Sequence, residues 1–184
     1  LAGADDVVLL NSDTQVTRGW LTKMAACASR DDRIATVTPL SNAAGVFSVP
    51  VRNQVNAIPE GMTIDDMGFL VERMSMKLRP KAPTGNGFCM YVSRAALNAA
   101  GGFDAVNFPR GYGEENDFCM RAGKKGFFHV IDDATFICHQ RSGSGGDLKK
   151  SVLPASMARL NRLHPEYRLR ELQWLVNDPL EGFR

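Results

Sequence analysis

Little in this sequence would commit it to sulfur or disulfide chemistry. Its cysteines, Cys27, Cys89, Cys119 and Cys138, lie far apart with no C-x-x-C pair. A zinc knuckle and a disulfide framework are both excluded, and the thiols read as buried and free in a reducing compartment. No apolar run approaches the length of a membrane span. There is no internal repeat and no low-complexity tract, so solenoids and repeat arrays are out. Neither sign of charge dominates: a net charge of +2 gives no argument for a nucleic-acid partner. The basic excess is local, with seven Lys or Arg against four Asp or Glu from Lys149 onward. An initiating Met is missing too, and six residues precede the first apolar run, so a piece of a longer chain is expected. What is present is 184 residues, 44% hydrophobic and 23% charged, enough for one domain with a real core.

Taken in order, Val7–Leu10 is an unbroken apolar run closed by Asn11-Ser12-Asp13-Thr14, which predicts a parallel strand buried on both faces. Thr17 is placed to cap a helix carrying Trp20, Leu21, Met24 and Cys27 on one face. Residues 34–38 form a second predicted strand, stopped by Pro39, and residues 40–61 a long loop. Thr63 caps a helix with the stripe Met67, Leu70, Val71, Met74 and Leu78. A strand over 88–92 follows Thr84-Gly85-Asn86-Gly87, and Ser93 caps a short helix ending at Gly101-Gly102. Two further strands are expected over 127–131 and 135–139. The C-terminal helices place Leu153, Met157, Leu160 and Leu163 on one face, and Leu169, Leu172 and Leu175 or Val176 on another. Strands alternating with helices make an α/β domain.

The chemistry-bearing stretch is GGFDAVNFPRGYGEENDFCMR, residues 101–121. An irregular loop delivers Glu114, Glu115 and Asp117 to a helix N-terminus, where the helix dipole favours carboxylates. Taken alone, that is an ordinary acidic first turn. Asp13 lies just past a strand's carboxyl end, where open α/β sheets place ligands, although Asp also serves simply as a turn residue. His139 ends another strand, ahead of a Gly/Ser loop with one cation, Arg141-Ser142-Gly143-Ser144-Gly145-Gly146. Small residues and one Arg suit a diphosphate. His129 and His164 read as ordinary polar residues.

Together, LLNSDTQVTRGWL, TPLSNAAGVFSVP, TGNGFCMYVSR, the acidic stretch and the His139 loop resemble the motifs of family 2 glycosyltransferases in order and spacing. The resemblance implies a GT-A type fold, here a partial, Rossmann-like sheet with flanking helices. Residues 1–147 would be the C-terminal portion of the glycosyltransferase domain and 148–184 a helical extension packed on it. It implies that Asp13 is the last acidic position of the metal motif, with Asn11 replacing its first, and that His139 is a second metal ligand. Asn11, Asp13, Arg141 and Ser142 would contact the donor, and the cofactor would be Mn2+ or Mg2+. Glu115 would be the catalytic base, with Glu114, Asp117, Asn86 and Gly87 orienting it or binding the acceptor.

The implied activity is inverting transfer of a hexosyl or deoxyhexosyl group from a nucleotide sugar to a saccharide or lipid-linked saccharide. The implied setting is polysaccharide assembly in the cytoplasm, at the inner face of the membrane. The basic C-terminal helices read either as a solvated face or as one resting on anionic lipid. A phosphohydrolase reading of N-S-D-T fails, because Asn11 would stand at the nucleophile. A non-catalytic truncated module remains the alternative, since the family's first strands and nucleoside pocket are not in this sequence. Losing a neighbour of residues 7–10 would leave an open edge, for which a homodimer is the expected remedy.

Overall fold

The structure, a computed structural model, describes residues 3–140 and 146–184. Strands β1 (Val7–Leu10), β2 (Thr14–Val16), β3 (Ile34–Leu40), β4 (Lys81–Ala82), β5 (Cys89–Val92) and β6 (Phe128–His139) form one sheet. Its order is β1-β5-β3-β6-β2, with β4 also pairing with β6. Among these strands β3 and β6 run parallel, and the other pairings are antiparallel. Helices α1 (Trp20–Ala28) and α2 (Ile64–Met74) cover one face, and α3 (Arg94–Ala100) and α4 (Glu114–Lys124) the other. Helices α5 (Gly146–Leu163) and α6 (Tyr167–Asn177) follow. Alternation along β5 shows the two-faced core: Cys89 and Tyr91 join the α1/α2 side, Met90 and Val92 the α3/α4 side. Burial pushes the Cys27, Cys89 and Cys119 thiols up to about 12, so these are inert core residues.

Several expectations need correcting. β1 is antiparallel to β5, lies at the sheet edge and leaves Leu10 exposed; it is not a parallel strand buried on both faces. Pro39 does not stop β3, which runs on to Leu40 because the register with β6 shifts there and needs no Pro N–H. Thr17 caps nothing; its hydroxyl donates to Phe136 O at 2.7 Å, and α1 starts from Gly19 in the left-handed region. The two expected late strands are one strand, β6, with an irregularity near Asp132. The α2 stripe is cut short: Met67 is buried, but Leu70, Met74 and Leu78 are exposed. The Asp133 carboxylate takes the Ser75 hydroxyl and the Leu78 and Arg79 amides, which draws the chain away after Met74. On α6, Leu169, Leu172 and Val176 are exposed and the packed side carries Tyr167 and Trp174.

The predicted caps of α2 and α3 are present: Thr63 and Asp66 form a reciprocal capping box, and Ser93 Oγ accepts from Ala96 N. The long loop after β3 is organised by side-chain amides. Asn56 and Asn42 bond to each other's backbone, and Gly45–Phe47 make a 3-10 turn.

Candidate functional site

Asp13 sits at the turn into β2, and His139 ends β6. Because β2 pairs with β6 with Thr14 opposite His139, the two side chains meet, with His139 Nε2 3.2 Å from Asp13 Oδ1. The ring is oriented from behind: Nδ1 lies 2.9 Å from Ala43 O, so that nitrogen carries the hydrogen. In the neutral ring, Nε2 then turns a lone pair towards a carboxylate oxygen. Two electron-pair donors facing each other this closely call for a proton or a cation between them. A backbone-anchored Nδ1, leaving Nε2 to face another ligand-type group, is the usual posture of a metal-ligating histidine. Asn42 fixes the strand end, its Oδ1 accepting from His139 N at 2.8 Å. Sequence reading missed this role of Asn42, since a lone Asn in a loop carries no such signal.

Glu115 enters at the opposite side. The preceding loop turns through Gly111, Tyr112 and Gly113, all at positive φ, and delivers α4 with its acidic first turn. Glu115 Oε2 accepts from Gly113 N at 3.3 Å. Burial, then the charge of neighbouring Glu114, pushes the Glu115 carboxyl above the usual carboxylate range. One Glu114 oxygen, Oε2, is buried without a partner among the described residues. A carboxyl group raised in this way holds its proton more readily than an ordinary carboxylate and is suited to proton exchange.

The segment Thr84–Phe88 links the two. A Cβ at Gly87 would lie 3.8 Å from the Glu115 carboxyl carbon, so the glycine backbone faces that carboxyl. Phe88 stacks on the His139 ring with centroids 5.5 Å apart and planes at 19°. Asn86 is pinned between them: its N–H donates to Thr38 Oγ1, its Nδ2 to Ala44 O, and its Oδ1 accepts from Phe88 N. Asn86 and Glu115 both line a cavity of about 170 Å³, which Tyr167, Glu171 and Trp174 close from α6.

The remaining expected residues fall elsewhere. Asp117 is buried, accepting from Arg121 Nε and His164 Nε2, each at 2.8 Å, so it locks α4 to the end of α5. Lys124 Nζ on His164 Nδ1 at 2.9 Å completes that lock, which gives His164 a role sequence reading did not see. His129 is likewise a core residue, bonded to Thr36 and Cys119 O, and burial drops its imidazole to about 4. Asn11 is exposed, its backbone N–H bonded to Phe88 O. Arg141 and Ser142 lie outside the described residues. Among the described residues, no three His, Cys, Asp or Glu side chains gather as a ready metal site, so Asp13 and His139 offer two ligands.

No family model matches the sequence, and no curated protein matches it. The chain is similar in fold to a crystal structure of GalNAc-T7 with UDP, GalNAc and Mn2+, with a TM-score of 0.51 and 15% identity. The likeness covers 95% of this chain and 40% of that one, so this chain spans less than half of that protein's length. The fold is thus the mixed α/β, GT-A type fold of a glycosyltransferase.

Proposed function

We propose that this chain carries the metal-side and base-side parts of an inverting glycosyltransferase that uses a nucleotide-sugar donor and a hydroxyl acceptor. The observation that supports it most is the Thr84–Phe88 segment, which joins an Asp/His pair at two strand ends to a carboxyl group raised for base work. Asp13 and His139 would hold Mn2+ or Mg2+, and their mixed oxygen and nitrogen donors suit that assignment. A divalent cation there would supply positive charge to the diphosphate leaving group. The other ligands would be diphosphate oxygens and water, as expected where the protein provides two. UDP is the first nucleotide to test, because the similar GalNAc-T7 structure contains it.

Glu115 would take the proton from the acceptor hydroxyl as that oxygen bonds to the anomeric carbon and the bond to the diphosphate breaks. Asn86 and the Gly87 backbone would flank the reacting groups, and Glu114 would hold Glu115 in its protonatable range. Calorimetric titration of the chain with UDP and other nucleoside diphosphates tests this, with and without Mn2+. Mn2+-dependent binding supports the transferase reading. No binding under either condition supports the alternative, a module that keeps the fold without the donor site.

A further inference from the structure

The cavity beside Glu115 is built from distant parts of the chain. Asn86 and Glu115 form one side, and Tyr167, Glu171 and Trp174 of α6 the other. Trp174 is held at both ends: Nε1–H donates to Lys81 O at 2.7 Å, and the ring packs on Phe47 with centroids 5.8 Å apart. With its one donor committed, Trp174 has only ring carbon left to present. Glu171 accepts from the Tyr167 hydroxyl at 3.3 Å and keeps further acceptor capacity on its carboxylate. Among the described residues lining the cavity, two are carboxylates, Glu115 and Glu171, and none is Lys or Arg. At about 170 Å³ the space is smaller than common ligand clefts of roughly 300–1,000 Å³, which suits a single ring.

We propose that this cavity is the acceptor subsite and that it selects an uncharged pyranose ring, excluding uronates and phosphorylated sugars. The name acceptor rests on the glycosyl-transfer reading above; ring binding and charge selection do not. A pyranose has one face of C–H groups and a rim of hydroxyls. The first matches the Trp174 ring, and the second matches carboxylate acceptors and the Asn86 amide. A carboxylate on the incoming ring would meet the Glu171 carboxylate inside a partly buried space, where repulsion is stronger than in water. Glu171 is then a specificity-determining residue, and α6 is a wall of the site.

Trp20 and Trp174 are the chain's two tryptophans, so Trp20→Phe leaves Trp174 as the fluorescent reporter. This variant is titrated with methyl galactoside, methyl glucoside, the methyl glycoside of N-acetylgalactosamine and methyl glucuronide. At least one neutral glycoside should perturb Trp174, and the glucuronide should bind at least about tenfold more weakly than the best of them. Glu171→Gln should bring the two classes closer together. Because Trp20 packs against the core, saturation-transfer NMR on the unaltered chain repeats the comparison without any substitution. Glucuronide binding as tight as the best neutral glycoside overturns the proposal. So does an NMR signal from none of the sugars, or a Glu171→Gln variant with unchanged discrimination. Sugar binding without any Mn2+-dependent UDP binding keeps the ring site and overturns the transferase reading; the converse does the reverse.

Discussion

Beside neighbouring residues of the Thr84–Phe88 segment, Gly87 and Phe88, stand two titratable pairs built on opposite principles. Asp13 and His139 are unlike groups on adjacent strand ends, half-buried, with the imidazole oriented by a backbone carbonyl and its other nitrogen left facing a carboxylate. Glu114 and Glu115 are like groups in the first turn of a helix, enclosed by a loop and beside a cavity. The first arrangement attracts a cation; the second retains a proton. On the proposed reading, the metal side would need groups brought by a ligand, whereas the base side would be finished by the chain's own packing. Under the proposed function, this difference would put charge stabilisation on one side of the segment and proton transfer on the other.

Breaking the base side should have the largest effect. Glu115→Gln should lower turnover of the active enzyme by about 10²–10⁴-fold with donor affinity unchanged, as measured by steady-state kinetics beside donor titration. Near-normal turnover would move the base to Glu114. On the metal side, His139→Ala should weaken Mn2+-dependent nucleotide binding by at least roughly 10–100-fold, the effect of losing even a ligand's orienting partner. Calorimetry reads this directly. Asp117→Asn should leave turnover chemistry intact in kind and cost about 1–3 kcal/mol of stability by denaturant unfolding, because Arg121 or His164 then faces an amide NH2 in place of its buried acceptor.

A finer test uses pH. Glu115 binds its proton more tightly folded than unfolded, so its contribution to stability is fully present below the ordinary carboxylate range. That contribution is lost as pH rises through its raised pKa. The base form appears over the same window, so kcat/KM should climb there. Glu114→Gln removes the neighbouring charge and should move that limb to lower pH, which a pH–rate profile checks. The smallest effect belongs to α6: Leu169→Ser should change stability by less than about 0.5 kcal/mol, because that leucine is exposed.

Local signals in the sequence survive well in the structure. Thr63 and Ser93 cap their helices, the acidic turn opens α4, and Asp13 meets His139. These depend on chemistry within a few residues or on strand ends that any such sheet gathers. Features set by distant partners were not legible. Leu70 and Met74 obey helical spacing, yet the face they mark is not covered, since Asp133 captures the following backbone from another element. Val7–Leu10 does lie at an open edge, as expected, but its one neighbour, β5, runs antiparallel to it, and nothing in the apolar run reveals that pairing. The cavity wall was hidden for the same reason: nothing near Glu171 or Trp174 in sequence points to Glu115. Asp117 was grouped with the site by position, and its burial against His164 gives it a packing role.

The account stands on Asp13 and His139 sharing a cation, and the chain's small number of histidines makes that testable without ambiguity. Of the three, His129 and His164 have both ring nitrogens engaged in the interior. Pulsed electron paramagnetic resonance of Mn2+ with UDP bound to the chain detects magnetic coupling to a ligating imidazole nitrogen. The expected result is coupling to one histidine nitrogen in the unaltered chain and its loss in His139→Ala. Bound Mn2+ with no nitrogen coupling, or coupling that survives His139→Ala, would contradict the assignment.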